Sequence, residues 1–266
     1  ALDGAQQLLQ RARTAGGQAY PGADYDLAMA CILLARVLKM AGGSEQALPL
    51  LDEAHQRFEA LAQTLAHPAP EQMVSACISE QGDCLINLGR FDDAAAACEE
   101  AIRRYEHRGD HRGVAGGNIQ LGTVRLQQRR YPEALAAYRQ AREGFTQLDE
   151  PDTIALIWHQ TGNVYQYAGQ PEAAEDAYWK SLAISVRTAN VRGQASTLGH
   201  LGILYSTVLD CPEEAATFFR QAADKFVEIG DAAGEGSMRS NLAIALHKLC
   251  LLDEAREEIR RAIDCD

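Results

Sequence analysis

"NIQLGTVRLQQRRYPEALAAYRQA", residues 118–141, reads as two amphipathic helices joined by a short turn, with Gly122 in the middle of the first. A glycine inside a helix costs about 1 kcal/mol relative to alanine, so its presence needs a reason. Forty residues on, "HQTGNVYQYAGQPEAAEDAYWKS" sets Gly162, Ala174 and Tyr178 at the mutual spacings of Gly122, Ala134 and Tyr138. A spacing that recurs at a fixed period belongs to an architecture.

Working outward, the small residue of the first helix recurs as Ala35, Gly82, Gly122, Gly162, Gly202 and Ala243, at intervals of 47, 40, 40, 40 and 41 residues. An alanine follows each by 12 or 13 residues: Ala47, Ala94, Ala134, Ala174, Ala215 and Ala255. Four further on stand Leu51, Cys98, Tyr138, Tyr178, Phe219 and Ile259, and three beyond those Ala54, Ala101, Ala141, Ser181, Ala222 and Ala262. "NLGRFDDA", "QYAGQPEA" and "VLDCPEEA" mark tight turns within copies, and "HRGDHRG", "LDEPDT" and "IGDAAGEG" the connections between them.

Each copy is therefore a helix, a turn and a second helix of about 17 residues each, roughly 25 Å long. A pair that thin cannot bury its apolar faces alone, so neighbouring pairs must stack. The expected fold is all-α, a right-handed α-solenoid of antiparallel helix pairs forming one domain over residues 1–266. It comprises a half repeat at 1–20 and six repeats near 23–66, 70–108, 111–148, 151–188, 191–229 and 231–264. "DGAQQLLQRA" reads as a second helix without its first, and Leu252, Ala255, Ile259 and Ile263 of the last helix should lie partly exposed. The chain is thus expected to be excised from a longer protein, with homo-oligomerisation through uncapped ends a further option.

Two departures from the period stand out. "LAQTLAHPAPEQ" holds the extra seven residues and predicts a lengthened helix, a kinked loop or a change of curvature. Pro49 predicts a frayed or 3₁₀-like first turn in its helix.

Composition agrees with a helical globular chain: 47% apolar, 23% charged and only 6% aromatic residues. The 25 basic against 37 acidic residues give a net charge of −12, the wrong sign for binding nucleic acid or an anionic membrane. Seven cysteines without a Cys-x-x-Cys pair argue for free thiols in a reducing, cytoplasmic setting, with Cys77 and Cys84 as core residues. No segment reads as a membrane span or an export signal.

The repeat resembles the tetratricopeptide repeat family, in its long-helix subclass of about 40 residues found in kinesin light chain and spindle-orientation scaffolds. The stretches that carry the likeness are the two quoted above and "SNLAIALHKLCLLDEAREEIRRA". Trp158 stands four residues before its glycine, where the family often has tryptophan.

The resemblance implies a concave groove lined by the first helices, at positions three before, one after, and four to five after the small anchor. On this chain those positions include Ile32, Arg36, Asn87, Thr123, Gln127, His159, Asn163, Gln166, Tyr167 and His247, with His200 and Asn241 alongside. It implies a protein or peptide ligand held by a mostly neutral face of amides and hydroxyls. A clamp for a C-terminal carboxylate would need Lys three before and Asn one after the anchor, and no copy has both. The three histidines would make binding pH-sensitive if they titrate.

No phosphate loop, catalytic triad or metal set is recognisable: His107 and His111 fall in a connection around Gly109 and Asp110. The expectation is a protein-interaction module, not an enzyme, with no cofactor, metal, nucleic acid or membrane partner. The alternative is a regulatory or sensor arm of a signalling protein that contacts its own effector domain, such as an ATPase, a protease or a transcription regulator.

Overall fold

Every connection after α2 whose backbone is fully described turns on one residue in the left-handed conformation. The computed structural model describes residues 1–17, 19–64 and 67–265. Among them lie thirteen helices and no strand: α1 (Leu2–Ala15), α2 (Ala23–Met40), α3 (Ser44–Thr64), α4 (Ala69–Asn87), α5 (Phe91–His107), α6 (His111–Gln127), α7 (Tyr131–Gln147), α8 (Pro151–Tyr167), α9 (Pro171–Arg187), α10 (Val191–Thr207), α11 (Pro212–Glu228), α12 (Ala232–Lys248) and α13 (Leu252–Ile263).

The left-handed residue is Gly42, Gly89, Gly109, Gly169 or Gly230 in five connections, and Arg129, Asp149, Ala189, Asp210 or Cys250 in the others. Glycine adopts that conformation without the Cβ penalty. The next N–H commonly turns back to the carbonyl five residues earlier, as from Gln170 to Tyr165 at 2.9 Å and from Asp231 to Phe226 at 3.0 Å. These bonds satisfy carbonyls that a helix end leaves orphaned. Three first helices then start on a side-chain cap: Asp110, Asn190 and Asp231 accept from the N–H of Gly113, Gly193 and Gly234. Pro171 and Pro212 open second helices at the position where proline's missing N–H costs nothing.

The helices form two compact units, Ala1–Ala141 and Arg142–Asp266, with the boundary inside α7. Within each unit a helix packs on its chain neighbours, and successive first helices touch as well: α2 with α4, α4 with α6, α8 with α10. The lattice is the core of both units. Ala47, Ala54, Ala94, Ala101, Ala134, Ala141, Ala174, Ala215 and Ala222 are fully buried, as are Tyr138 and Tyr178.

The mid-helix glycines lie beneath the rings of the second helices. A Cβ on Gly122 would fall 2.7 Å from Cε1 of Tyr138, on Gly162 2.5 Å from Cε1 of Tyr178, and on Gly202 2.6 Å from Cε1 of Phe219. Where the large position is Cys98, a Cβ on Gly82 would meet its Sγ at 3.4 Å, an ordinary contact.

Pro49 lies inside α3, which is α-helical from Ser44 onward, so the expected 3₁₀-like first turn is not formed. Only one helix bond is lost, and the Glu45 carbonyl that would have accepted it belongs to an exposed residue. The extra residues lengthen α3 to 21 residues, against 17 for each of α5 to α12. Leu65 and Ala66 of that stretch lie outside the described residues, and His67 Nδ1 accepts from the N–H of Ala69 at the start of α4. In α13 Ala255 is buried, while Leu252, Ile259 and Ile263 are exposed.

Gly122→Ala and Gly162→Ala are expected to lower stability by about 1–3 kcal/mol through overpacking, despite alanine's better helix propensity. Gly82→Ala, with room for its methyl, is expected to be neutral or to stabilise by up to about 1 kcal/mol. Urea unfolding of the three variants checks the contrast. Ala189→Gly should stabilise by roughly 0.5–1 kcal/mol by relieving a left-handed alanine, read in the same assay.

Candidate functional site

The position five residues after the small anchor, in or just beyond the last turn of each first helix, is exposed in all six copies: Met40, Asn87, Gln127, Tyr167, Thr207 and Lys248. Met40 is 87% and Tyr167 70% exposed, large apolar surfaces that the fold leaves uncovered. The position one after the anchor is half-buried at Thr123 and Asn163 and exposed at Arg36. The position three before it points inward in three copies. Ile32, His159 and Gly199 are buried there, because that turn faces the neighbouring helices. His159 and Ile32 are therefore not part of an open face, contrary to the expectation from sequence.

In the first unit, this face carries an ion-pair network across α2, α4 and α6. Arg36 Nε donates to Glu80 at 2.7 Å, Lys39 Nζ to Glu80 at 2.5 Å and to Asp83 at 2.9 Å, and Gln120 Nε2 to Asp83 at 2.8 Å. Burial alone would raise the Glu80 carboxyl, but Lys39 and Arg36 outweigh it and hold the group below the ordinary carboxylate value. The face is charged here, not neutral. Beside the network a cleft of about 380 Å³ is lined by Met40, Ile86, Asn87, Ile119 and Thr123. Asn87 Nδ2 donates to Ser44 Oγ at 3.1 Å.

Several expected ligand-binding groups are engaged in holding the fold. Thr123 Oγ1 is 3.0 Å from the Tyr138 hydroxyl. The Tyr178 hydroxyl lies 2.8 Å from both Asn163 Oδ1 and Gln166 Oε1, which share its single proton as acceptors, and Asn163 Nδ2 donates to Gln160 at 3.0 Å. A buried phenol must find a partner, and the first-helix row supplies it. Asn241 is half-buried, while Gln127, Tyr167 and His247 are exposed. His247 borders a cleft of about 630 Å³ with Ile244, Leu252 and Ile259.

In the second unit a polar cluster sits between α8, α9 and α10. His159 Nδ1 is 3.3 Å from Thr197 Oγ1, Thr197 Oγ1 is 3.2 Å from Ser181 Oγ, and Ser181 Oγ donates to the Ala155 carbonyl at 2.8 Å. The His200 ring lies edge-on to His159, centroids 4.4 Å apart. Burial, and then His200, push the His159 imidazole down to about 3, and burial lowers His200 as well. Both shifts favour the neutral rings, which counts against the pH-sensitive role that titration of these two histidines would give. Periodicity alone did not reveal this cluster.

Among the described residues, no helix is long and apolar enough to cross a membrane, and no three His, Cys, Asp or Glu side chains gather in a metal-sized group. Cys77 and Cys84 are fully buried, and burial raises the Cys77 thiol to about 12.

The tetratricopeptide repeat family model matches residues 74–147 and 113–185 of the chain. No curated protein sequence matches it. Among solved structures it is similar to BtubC (BKLC) from P. vanneervenii, 22% identical over 86% of this chain and 91% of that one, with a TM-score of 0.69. It is also similar to a signal transduction ATPase with numerous domains and a tetratricopeptide repeat sensor from Pyrococcus horikoshii, 16% identical with a TM-score of 0.72, over 96% of this chain but 40% of that one. The apo form of the quorum sensor NprR from B. thuringiensis is 16% identical over 99% of this chain and 74% of that one, TM-score 0.68. At these identities the likeness is one of fold.

Unfolding moves His159 from about 3 to its ordinary 6.5. Between those values the unfolded chain binds the extra proton, so stability falls as pH drops from about 6.5 toward 3, by up to about 1.4 kcal/mol per pH unit. His159→Gln is expected to flatten that slope, measured by urea unfolding between about pH 7 and 4.

Proposed function

We propose that the chain is a protein-interaction module whose exposed first-helix row holds a segment of a partner protein. One observation carries this reading: the position five after the anchor is exposed in all six copies and includes Met40 and Tyr167, large side chains that the fold leaves mostly uncovered. In each unit one uncovered apolar group stands beside polar ones, Met40 with Asn87 and Gln127 in the first and Tyr167 with Thr207 in the second, which suits a segment that offers side chains and backbone amides in turn. The module works by binding, and the match of the tetratricopeptide repeat model to residues 74–185 supports that reading.

The contact groups are Gln127, Tyr167 and His247, which have no side-chain bond among the described residues, joined at the rim by Arg36 and Asn87, which keep their bonds to Glu80 and Ser44. Asn163, Gln166 and Thr123 contribute by fixing the rings beneath the face.

Capture of a partner by the intact chain, followed by cross-linking and peptide mapping, tests the reading. Tyr167→Ala and Gln127→Ala are each expected to weaken capture about ten-fold, the size of a well-packed contact, with unchanged unfolding midpoints. Capture unaffected by either substitution would sink the proposal. Binding confined to another domain of the same polypeptide would make the chain a regulatory arm of its parent.

A further inference from the structure

Four residues after the second small anchor, the second helices carry a column of aromatic residues: Phe58, Tyr105, Phe145 and Phe226. In α9 the same position is Ser185. Two rings of this column, Tyr105 and Phe226, lie against glycine backbone at the start of the next first helix. A Cβ on Gly113 would fall 2.3 Å from Cδ1 of Tyr105, and on Gly234 2.4 Å from Cδ1 of Phe226. Gly193 stands at that place in the copy without a ring, where Ser185 Oγ lies 2.8 Å from the site of a Cβ and the Asn190 side chain 3.2 Å from it.

Tyr105 shows where such a ring leads. It crosses from Gly113 to α4, where its hydroxyl lies 3.1 Å from Ser79 Oγ. The residue in the place of Ser79 in the later copy is His159. A cleft of about 520 Å³ between α8, α9 and α10 is lined by both ends of that track, Gly193 and His159, and by Ser181, Ser185 and Thr197. The cleft in the Tyr105 copy is smaller, about 440 Å³. Ser185 is fully buried, and its Oγ is the one buried side-chain N or O without a hydrogen-bond partner among the described residues. Such a group costs about 1–3 kcal/mol until something bonds it.

We propose that this cleft receives the phenol side chain of a tyrosine borne by a docked protein segment, seated between Gly193 and His159 where other copies place their own ring. The proposal rests on the reading of the chain as a module that binds a protein segment. Ala155 and Leu156 flank the aromatic body, and the hydroxyl meets the Ser185, Thr197 and His159 cluster, which can donate and accept. A neutral group is favoured because the charges at the mouth are committed. Arg192 donates to Asp231 at 2.5 Å, and Asp152 accepts from Thr188 at 2.6 Å and from Asn190 at 3.2 Å.

The test titrates the full chain with p-cresol and with N-acetyl-tyrosinamide while following the amide NMR signals of Gly193 and Thr197. Saturable shifts at both residues are expected with both probes, and about ten-fold weaker binding of toluene, which lacks the hydroxyl. Ser185→Phe restores the ring of the other copies and is expected to abolish the shifts. Ser185→Ala keeps the space, removes the hydroxyl and is expected to weaken p-cresol several-fold. Absence of saturable shifts with p-cresol, equal binding of toluene, or unchanged affinity in Ser185→Ala or Ser185→Phe would each overturn the proposal. Binding of p-cresol without N-acetyl-tyrosinamide would overturn the protein-borne source in favour of a free phenol. No protein segment is present in these titrations, so their failure leaves the capture experiment on Tyr167 and Gln127 to decide the wider reading by itself.

Discussion

The contact on which the repeat depends is an aromatic ring of one helix seated directly against the glycine backbone of its partner. Tyr138 on Gly122, Tyr178 on Gly162 and Phe219 on Gly202 are three versions of it. The ring brings a large area of apolar burial, and the glycine removes the methyl that would hold it off. The fold accepts the weaker helix propensity of a mid-helix glycine because packing is worth more than propensity in a helix that must bury one face. The alanines at the remaining lattice positions follow from that spacing, since larger side chains there would lift the ring from its seat.

The same rings tie the core to the exposed face. Their hydroxyls need partners, and those partners are Thr123, Asn163 and Gln166, polar groups that also border the accessible row. The buried phenols and the surface amides therefore form one hydrogen-bonded structure. Changes to Asn163 act on the packing of Tyr178 first. Gln127 and Tyr167 are free of this coupling, and an interaction surface can vary most readily at such positions.

The architecture was legible in the chain because it is written in side-chain size at a fixed interval, and the helix ends in glycine, proline and aspartate at the turns. The positions of the exposed row were legible only in part. Helical spacing correctly set Tyr167 and Gln127 outward. It set Ile32 and His159 outward too, because spacing along one helix does not say which side the next helix will cover. The hydrogen bonds of Tyr138 and Tyr178 span 12 to 15 residues and two helices, and no local pattern announces them. The ion pairs of Arg36 and Lys39 with Glu80 lie 44 and 41 residues apart, so they emerge only when two copies are laid side by side. The break at Ser185 is visible in the chain once the column Phe58, Tyr105, Phe145 and Phe226 is seen, yet its meaning depends on Gly193, which stands opposite it.

The connections have a bearing on how such a chain can change length. Each fully described turn after α2 is short and closed by bonds back into the preceding helix, which leaves no slack. One residue inserted within a helix would rotate everything after it by about 100° and carry the ring away from its glycine. The interval of 47 residues between Ala35 and Gly82 shows where growth is admitted. The added residues lengthen α3 beyond Phe58 and begin α4 ahead of Val74, outside the stretches that carry the lattice. Insertions of this kind leave the angular phase of every anchor untouched, so the chain can grow at its seams while its packing code stays in frame.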